Sequence, residues 1–415
     1  MVVIICVGPF TKARSNAILF TNSNNANRPY LNHYIKPDKT KTMGQQQRLL
    51  SLDIFRGLTI AAMILVNNPG SWSNVYAPLL HAEWHGITPT DWVFPFFLFI
   101  VGVAIAYALG RRKEDGHDRK ALLRKIAWRT LIIFSIGLFL NLFPKFKFAT
   151  FRIPGVLQRI ALVYGVCATL FVFYSPKQLL WIGVGCLLAY WGLMTLVPIP
   201  GGVAPNLEAS TNLGAWFDRT LLGNHLWVQS KTWDPEGLLS TLPAIGTGIR
   251  GILTGVWMQT EAGGYEKVAG LLAVGAILLA LGNIWNLTFP INKKIWTSSY
   301  VLYTSGVALI CLGVIYWLVD LRGSRWWTKP FIIYGTNALF VFVLSGLLVK
   351  LMYTTFKWVN EAGESMNVQS WLWTQVYEPA FTSAKLASLA YALTNVLFFL
   401  ALSWVLYRRR IFIKV

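Results

Sequence analysis

Residues 49–110, LLSLDIFRGLTIAAMILVNNPGSWSNVYAPLLHAEWHGITPTDWVFPFFLFIVGVAIAYALG, decide the fold. Their two apolar stretches, 50–68 and 91–110, each come close to the about 20 residues that a helix needs to cross about 30 Å of hydrocarbon. Between them runs a polar loop that opens on Asn67 and Asn68 and holds His81 and His85, two of the five histidines in the chain. Two membrane helices joined by a reactive loop are the unit from which the rest is read.

Composition extends that unit to the whole chain. Of 415 residues, 55% are hydrophobic, 14% aromatic and only 13% charged, against about 25% charged in soluble domains. Lipid is therefore the solvent, and the 19 tryptophans suit it, because indole rings collect where hydrocarbon meets headgroups. The net charge of +20 excludes nucleic acid as a partner: the basic residues sit between apolar runs instead of clustering on a soluble face. An anionic lipid bilayer is the partner they fit. Cys6, Cys167, Cys186 and Cys311 are widely spaced, form no CxxC pair and read as small core residues.

Working outward, the apolar runs number about ten: 50–68, 91–110, 122–143, 154–174, 178–197, 238–258, 265–284, 297–319, 330–352 and 383–406. None alternates with period two, which excludes a β-barrel. The expected class is an all-α polytopic bundle. Residues 1–46 form a dissimilar N-terminal extension without the basic start and small-residue cleavage site of a signal peptide, and Met43 is the expected true start. Residues 47–415 form the membrane domain. Lys and Arg concentrate in alternate loops, above all from Arg111 to Arg129 and from Arg408 to Arg410. By the positive-inside rule both termini are cytoplasmic and the His81 loop faces out. The connections 198–237 and 353–382, rich in Gly, Pro, Asn and Trp, are expected to fold over the outer mouth.

Within this frame the candidate residues have two readings each. The imidazole of His81 can take a proton from an attacking amine or hydroxyl, or attack an acyl group itself. The plain alternative is interfacial hydrogen bonding. Trp84 and Trp72 can wall the site, and Glu83 and His85 can share the proton work. Asp91 either orients His81 or caps the second helix. The spacing of His81, Glu83 and His85 puts the glutamate at the wrong offset for a zinc helix, and Gly86 opposes a helix there, so no metal is expected. Arg56 pairs with Asp53 at i, i+3 or meets an incoming anion. Arg250, among the glycines of IGTGIRGILTG, is a second inner arginine. Arg159 either snorkels or lines a cavity beneath His81, with Arg152 nearby. Asp234 and Glu236, in WDPEGLLST, open a helix or recognise a cationic or polyhydroxy acceptor. Phosphate loops and hydrolase elbows are absent from the sequence.

The stretches SLDIFRG, MILVNN, HAEWHGITPTDWVFPFFLFIVG, RIPGVLQRIALVY, DPEGLLST, NKKIWTSSY, YGTNAL and LYRRRIFIKV resemble the heparan-α-glucosaminide N-acetyltransferase family of transmembrane acyltransferases, in order from about residue 47 to 415. The resemblance implies acetyl-CoA on the cytoplasmic side as donor and an amino sugar or other glycan on the far side as acceptor. It carries the family's functional histidine onto His81 and its asparagine onto Asn67. Asp91 joins them as catalytic, Arg56, Arg250 and Arg159 as donor-binding, and Trp84, His85, Asp234 and Glu236 as acceptor-binding residues. His85 stands where the lysosomal enzymes have Asn, and the Asn67-to-His81 segment is longer than theirs. The implied setting is a bacterial inner membrane, and a homodimer is admitted. The rival class is a secondary transporter for an amino sugar such as N-acetylglucosamine, with the same polar residues as its binding site.

Overall fold

The computed structural model of the chain describes residues 5–6, 49–116, 118–359, 363 and 365–413. Met43, Arg48, Lys414 and nearly all of the N-terminal extension lie outside the described residues.

Helix α1, Leu50–Asn67, runs through the middle of the bundle with most of its residues buried, as an apolar run with no polar face must. It has no side-chain cap of its own. Its orphan Ser51 N–H donates instead to Asp320 Oδ2 at 3.1 Å, a carboxylate placed where the helix dipole favours one. A short turn, Pro89–Trp92, leads into α2, Val93–Glu114. There follow α3, Arg119–Leu142, begun by Asp118, and α4, Val156–Phe173. Next come α5, Pro176–Leu196, opened by a Ser175–Gln178 capping box, and the short amphipathic α6, Leu213–Leu222. Helices α7, Thr241–Met258, α8, Gly264–Asn286, and α9, Ser298–Tyr316, complete the middle of the chain.

Among the described residues, nine helices are long and apolar enough to cross a bilayer. The chain is a multi-pass membrane protein. The tenth expected stretch, 238–258, is helix α7, as long as α1 but diluted by Gly and Thr. It lies inside the bundle against α2, α4, α5 and α9, where glycine sets how close the helices come. A Cβ on Gly251 would stand 2.1 Å from the Phe99 carbonyl oxygen, and one on Gly102 would stand 2.1 Å from that of Gly248. Backbone thus packs on backbone where α2 crosses α7. Gly251→Ala should therefore destabilise the bundle by about 1–3 kcal/mol, seen as a lower melting temperature in detergent, whereas Gly192→Ala, with open space around its Cβ, should leave it unchanged.

The expected run 330–352 is not one helix. It breaks at Asn337 into α10, Lys329–Thr336, and α11, Ala338–Lys350. The break is stabilised from far away: Asn337 Nδ2 donates to the Ile411 carbonyl at 3.0 Å and its Oδ1 accepts from Ile413 N at 2.8 Å. Beyond α11, a hairpin of β2, Lys357–Val359, and β3, Ser365–Asn367, leads through α12, Val368–Leu372, and α13, Glu378–Ala380, to the last long helix, α14, Ala384–Arg408. Strand β4, Phe412–Ile413, pairs with β1, Ile5–Cys6.

Candidate active site

The site begins with a capping arrangement written into residues 88–91. Thr88 and Asp91 form a capping box around the turn, with Pro89 at its first position. Asp91 Oδ2 accepts from Thr88 N at 3.0 Å and from Ala82 N at 3.1 Å. The other oxygen, Oδ1, lies 2.7 Å from His81 Nδ1. The two readings of Asp91 are thus both realised, one on each oxygen. Asp91 is buried while the His81 side chain is 39% exposed, so a fixed carboxylate holds an accessible imidazole. Because a carboxylate can only accept, Nδ1–H donates to it, and in a neutral imidazole Nε2 then keeps the lone pair.

His81 opens on a cavity of about 330 Å³ that Asn67 also lines, from the last turn of α1. The neighbouring Asn68 is turned inward, its Nδ2 donating to the Ile64 carbonyl at 2.7 Å, which leaves Asn67 as the amide at the cavity wall. Apolar side chains from four helices form much of the wall, among them Met63 and Val66 of α1, Phe94 and Phe97 of α2, Ile160 of α4 and Phe342 of α11. The mouth is aromatic and charged: Trp227, Trp233 and Glu236 come from the connection between α6 and α7, and Lys293 and Lys294 from the turn before α9. Of the two connections expected over the mouth, 198–237 contributes Trp227, Trp233, Pro235 and Glu236 to the lining, whereas among the described residues 353–382 contributes none.

Of the other residues singled out in the sequence, some reach the cavity and some do not. Trp84 stands behind it, donating Nε1–H to the Leu207 carbonyl at 2.9 Å and packing edge-on against Trp233 at 5.2 Å between ring centres. His85 Nδ1 lies 3.4 Å from Asn292 Nδ2. Arg152 binds Asp234 through Nε at 2.8 Å and Nη2 at 2.5 Å, and its Nη2 also donates to Glu236 Oε2. Arg159, 1% exposed, is not among the cavity's lining residues. Its guanidinium donates to the carbonyls of Pro235 and Gly237, at 3.1 and 2.9 Å, and to Ser240 Oγ, and lies over the Trp296 ring. Arg159 thus fastens the connection 234–240 onto α4, and Arg152 fastens it onto the segment that leads into α4. Arg56 contacts Asp53 at 3.3 Å near the other end of α1 from Asn67. Arg250, bonded to the Gly246 carbonyl at 3.0 Å, faces a separate apolar cavity of about 620 Å³ among α5, α7, α8 and α9.

Electrostatics at the mouth follow from these contacts. Burial alone would raise the Glu236 carboxyl, but Arg152, then Arg159 and Lys293, hold it below the usual carboxylate range, so it is anionic at neutral pH. Burial lowers Lys293 from the ordinary lysine range, Asp91 and Glu236 oppose that, and Lys294 adds to it. Asp218, on α6, is pushed up to about 7 by burial, against the Leu238 N–H that donates to it at 2.8 Å. Above its unfolded value near 3.8, the unfolded chain has lost this proton while the folded one still holds it, so stability falls as pH rises towards 7. The stabilisation of Asp218→Asn over the native chain should accordingly grow between pH about 4 and 7 and level off above that, as read by melting temperature against pH.

Lys293 is the residue that sequence reading missed. Its Nζ lies 2.9 Å from His81 Nδ1, 3.0 Å from His81 Nε2 and 3.7 Å from Asp91 Oδ1. Trp227 and Trp233 were hidden in the same way, in a connection notable for tryptophan but without periodicity. The only signal for Lys293 is its place in NKKIWTSSY, between two apolar runs where a lysine ordinarily marks a membrane boundary.

Comparison with known proteins bears on this geometry. Residues 48–222 match the family model described as heparan-alpha-glucosaminide N-acetyltransferase, catalytic, a segment that contains Asn67, His81 and Asp91. The chain is 29% identical to the Homo sapiens protein heparan-alpha-glucosaminide N-acetyltransferase over 331 residues, 66% of this chain and 49% of the human one. It is 30% identical to the Mus musculus protein of the same name over 311 residues, 61% of this chain and 46% of the mouse one. The chain spans about half the length of the curated relatives it matches.

Proposed function

We propose that this chain, whose residues 48–222 match the family model described as heparan-alpha-glucosaminide N-acetyltransferase, catalytic, is a transmembrane acetyltransferase whose acceptor is an amino sugar or related glycan. The observation that carries the reading is the buried Asp91 carboxylate 2.7 Å from Nδ1 of an accessible His81, on a cavity that Asn67 shares. Acetyl-CoA, the donor in this reading, supplies an acetyl thioester. The apolar walls of Phe94, Phe97, Ile160 and Phe342 fit the uncharged arm that carries such a group, and they exclude the charged diphosphate, whose burial in hydrocarbon would be costly.

The residues then have defined tasks. His81 Nε2 removes the proton from the acceptor amine or hydroxyl as it attacks, or takes the acetyl group itself before passing it on. Asp91 keeps the proton of the imidazole on Nδ1 and stabilises the imidazolium that forms. Asn67 donates its amide N–H to the oxygen on which negative charge develops. Trp227 and Trp233 offer ring faces to a sugar, and the anionic Glu236 favours a cationic amine. The basic residues from Arg111 to Arg129 lie in the last turn of α2, at the end away from Asp91, and in the first half of α3, which supports a donor drawn from the cytoplasm and an acceptor met on the outer face of a bacterial inner membrane.

Purified full-length protein in detergent, given radiolabelled acetyl-CoA and glucosamine-terminated acceptors, should yield acetylated sugar. Accumulation of unmodified amino sugar in reconstituted vesicles, without acetyl transfer, would make the protein a transporter instead.

A further inference from the structure

We propose that Lys293 is an acetyl acceptor built into the site: when no external acceptor fills the cavity, the acetyl group brought to His81 passes to Lys293 Nζ. The inference rests on the acetyltransfer reading above, and its own support is geometric. Asp91 engages His81 Nδ1 at 2.7 Å, so Nε2 is the reactive nitrogen. Lys293 Nζ is almost equally far from the two ring nitrogens, 2.9 and 3.0 Å, and so lies off the in-plane axis along which the Nε2 lone pair, or an acetyl group on Nε2, would extend. The amine therefore leaves that axis free for an acetyl group while staying within 3.0 Å of the nitrogen that would carry it.

The turn that carries the lysine is well fixed. Gly86 N donates to the Ile291 carbonyl at 2.8 Å, which joins the turn to the His81 loop. Asn292 Oδ1 accepts from Lys294 N at 2.7 Å and Ile295 N at 3.2 Å. Lys293 itself is 18% exposed and lines the cavity, and burial, which lowers its pKa, enlarges the neutral fraction that can attack. Lys294 is an internal control: its Nζ donates to the Glu83 carbonyl and lies over the Trp84 and Trp233 rings.

The transfer balances without any further reagent. The Nζ lone pair forms the new C–N bond, and the C–S bond of the thioester breaks, directly or after the acetyl group has paused on Nε2. CoA leaves as its thiolate, the amine's surplus proton goes to His81 Nε2, and that one proton then converts the thiolate to the thiol. The product is a neutral acetyl-lysine, which removes a cation from beside Asp91 and Glu236 and leaves the imidazole in a more anionic site.

The test is peptide mass spectrometry of the purified full-length chain after incubation with acetyl-CoA alone. Proximity to His81 should give acetyl occupancy at Lys293 about tenfold or more above that at Lys294. The mark should disappear in His81→Ala and fall when an amino sugar saturates the cavity. Lys293→Arg should lack both the mark and any time-dependent loss of turnover that accompanies it. Acetylation of an added sugar with Lys293 unmodified in its absence would overturn the inference and leave the acetyltransferase reading standing. Equal marking of Lys293 and Lys294, or marking that persists in His81→Ala, would overturn it as ordinary solution chemistry. If neither sugar nor Lys293 is acetylated, both readings fall.

Discussion

Replacing His81 with alanine should lower acetyl transfer by about 10²–10⁴-fold, the contribution expected of a positioned general base, with the folded protein intact because the side chain is exposed. Asp91→Asn should cost a comparable factor for a different reason. The Oδ2 side of Asp91 faces two N–H donors, Ala82 N and Thr88 N. An asparagine must put its oxygen there and its NH₂ towards His81. Nδ1 then has to accept where it donated, which places the ring proton on Nε2 and blocks the nitrogen that meets the substrate. Steady-state assays of both variants, with melting temperatures as the folding check, decide the matter. Near-native turnover in Asp91→Asn would remove His81 Nε2 from the chemistry.

The second large effect is on stability. Arg152→Ala should destabilise the protein by about 3–5 kcal/mol, because it strips the counter-charge from two carboxylates, those of Asp234 and Glu236, that are 0% and 8% exposed. Part of the loss should return at low pH. Burial raises the Glu236 carboxyl and Arg152 is the main group that lowers it, so without Arg152 it would take up a proton more readily in the folded state, and acid would narrow the gap to the native protein. Differential scanning of the native protein and the variant from pH 8 down to pH 4 measures this. A melting temperature unchanged at pH 8 would show that the pair contributes nothing to holding the 234–240 connection.

The bundle was legible because its evidence is local: an apolar run of spanning length and a charged loop need no knowledge of distant residues. The break at Asn337 was not legible, since YGTNALFVF reads as continuous hydrocarbon-loving helix. The groups that satisfy its side chain, Ile411 and Ile413, lie 74 and 76 residues further on. The same distinction governs the site. His81 and Asp91 are ten residues apart, so a loop histidine before a helix-opening aspartate could be suspected from the sequence. Lys293 is 212 residues from His81, and only the packing of the turn before α9 against the His81 loop brings them together. Arg159 illustrates the opposite case. A membrane arginine beside a reactive loop suggests a ligand, but Pro235 and Gly237, in the loop before α7, present half-buried and buried backbone carbonyls that need donors, and those carbonyls occupy it.

The glycine crossing of α2 with α7 makes α2 a lever. Asp91, in the turn that leads into α2, lies just beyond its first residue, about 16 Å from the fulcrum at Gly102 for a rise of about 1.5 Å per residue. A tilt of only about 4° at the crossing would carry the carboxylate about 1 Å away from His81, enough to cost about 10²-fold in rate. The tolerance of the chemistry is thus set by how tightly two backbones are clamped deep in the bilayer, and a methyl group added at that clamp could leave the protein folded and still leave it slow.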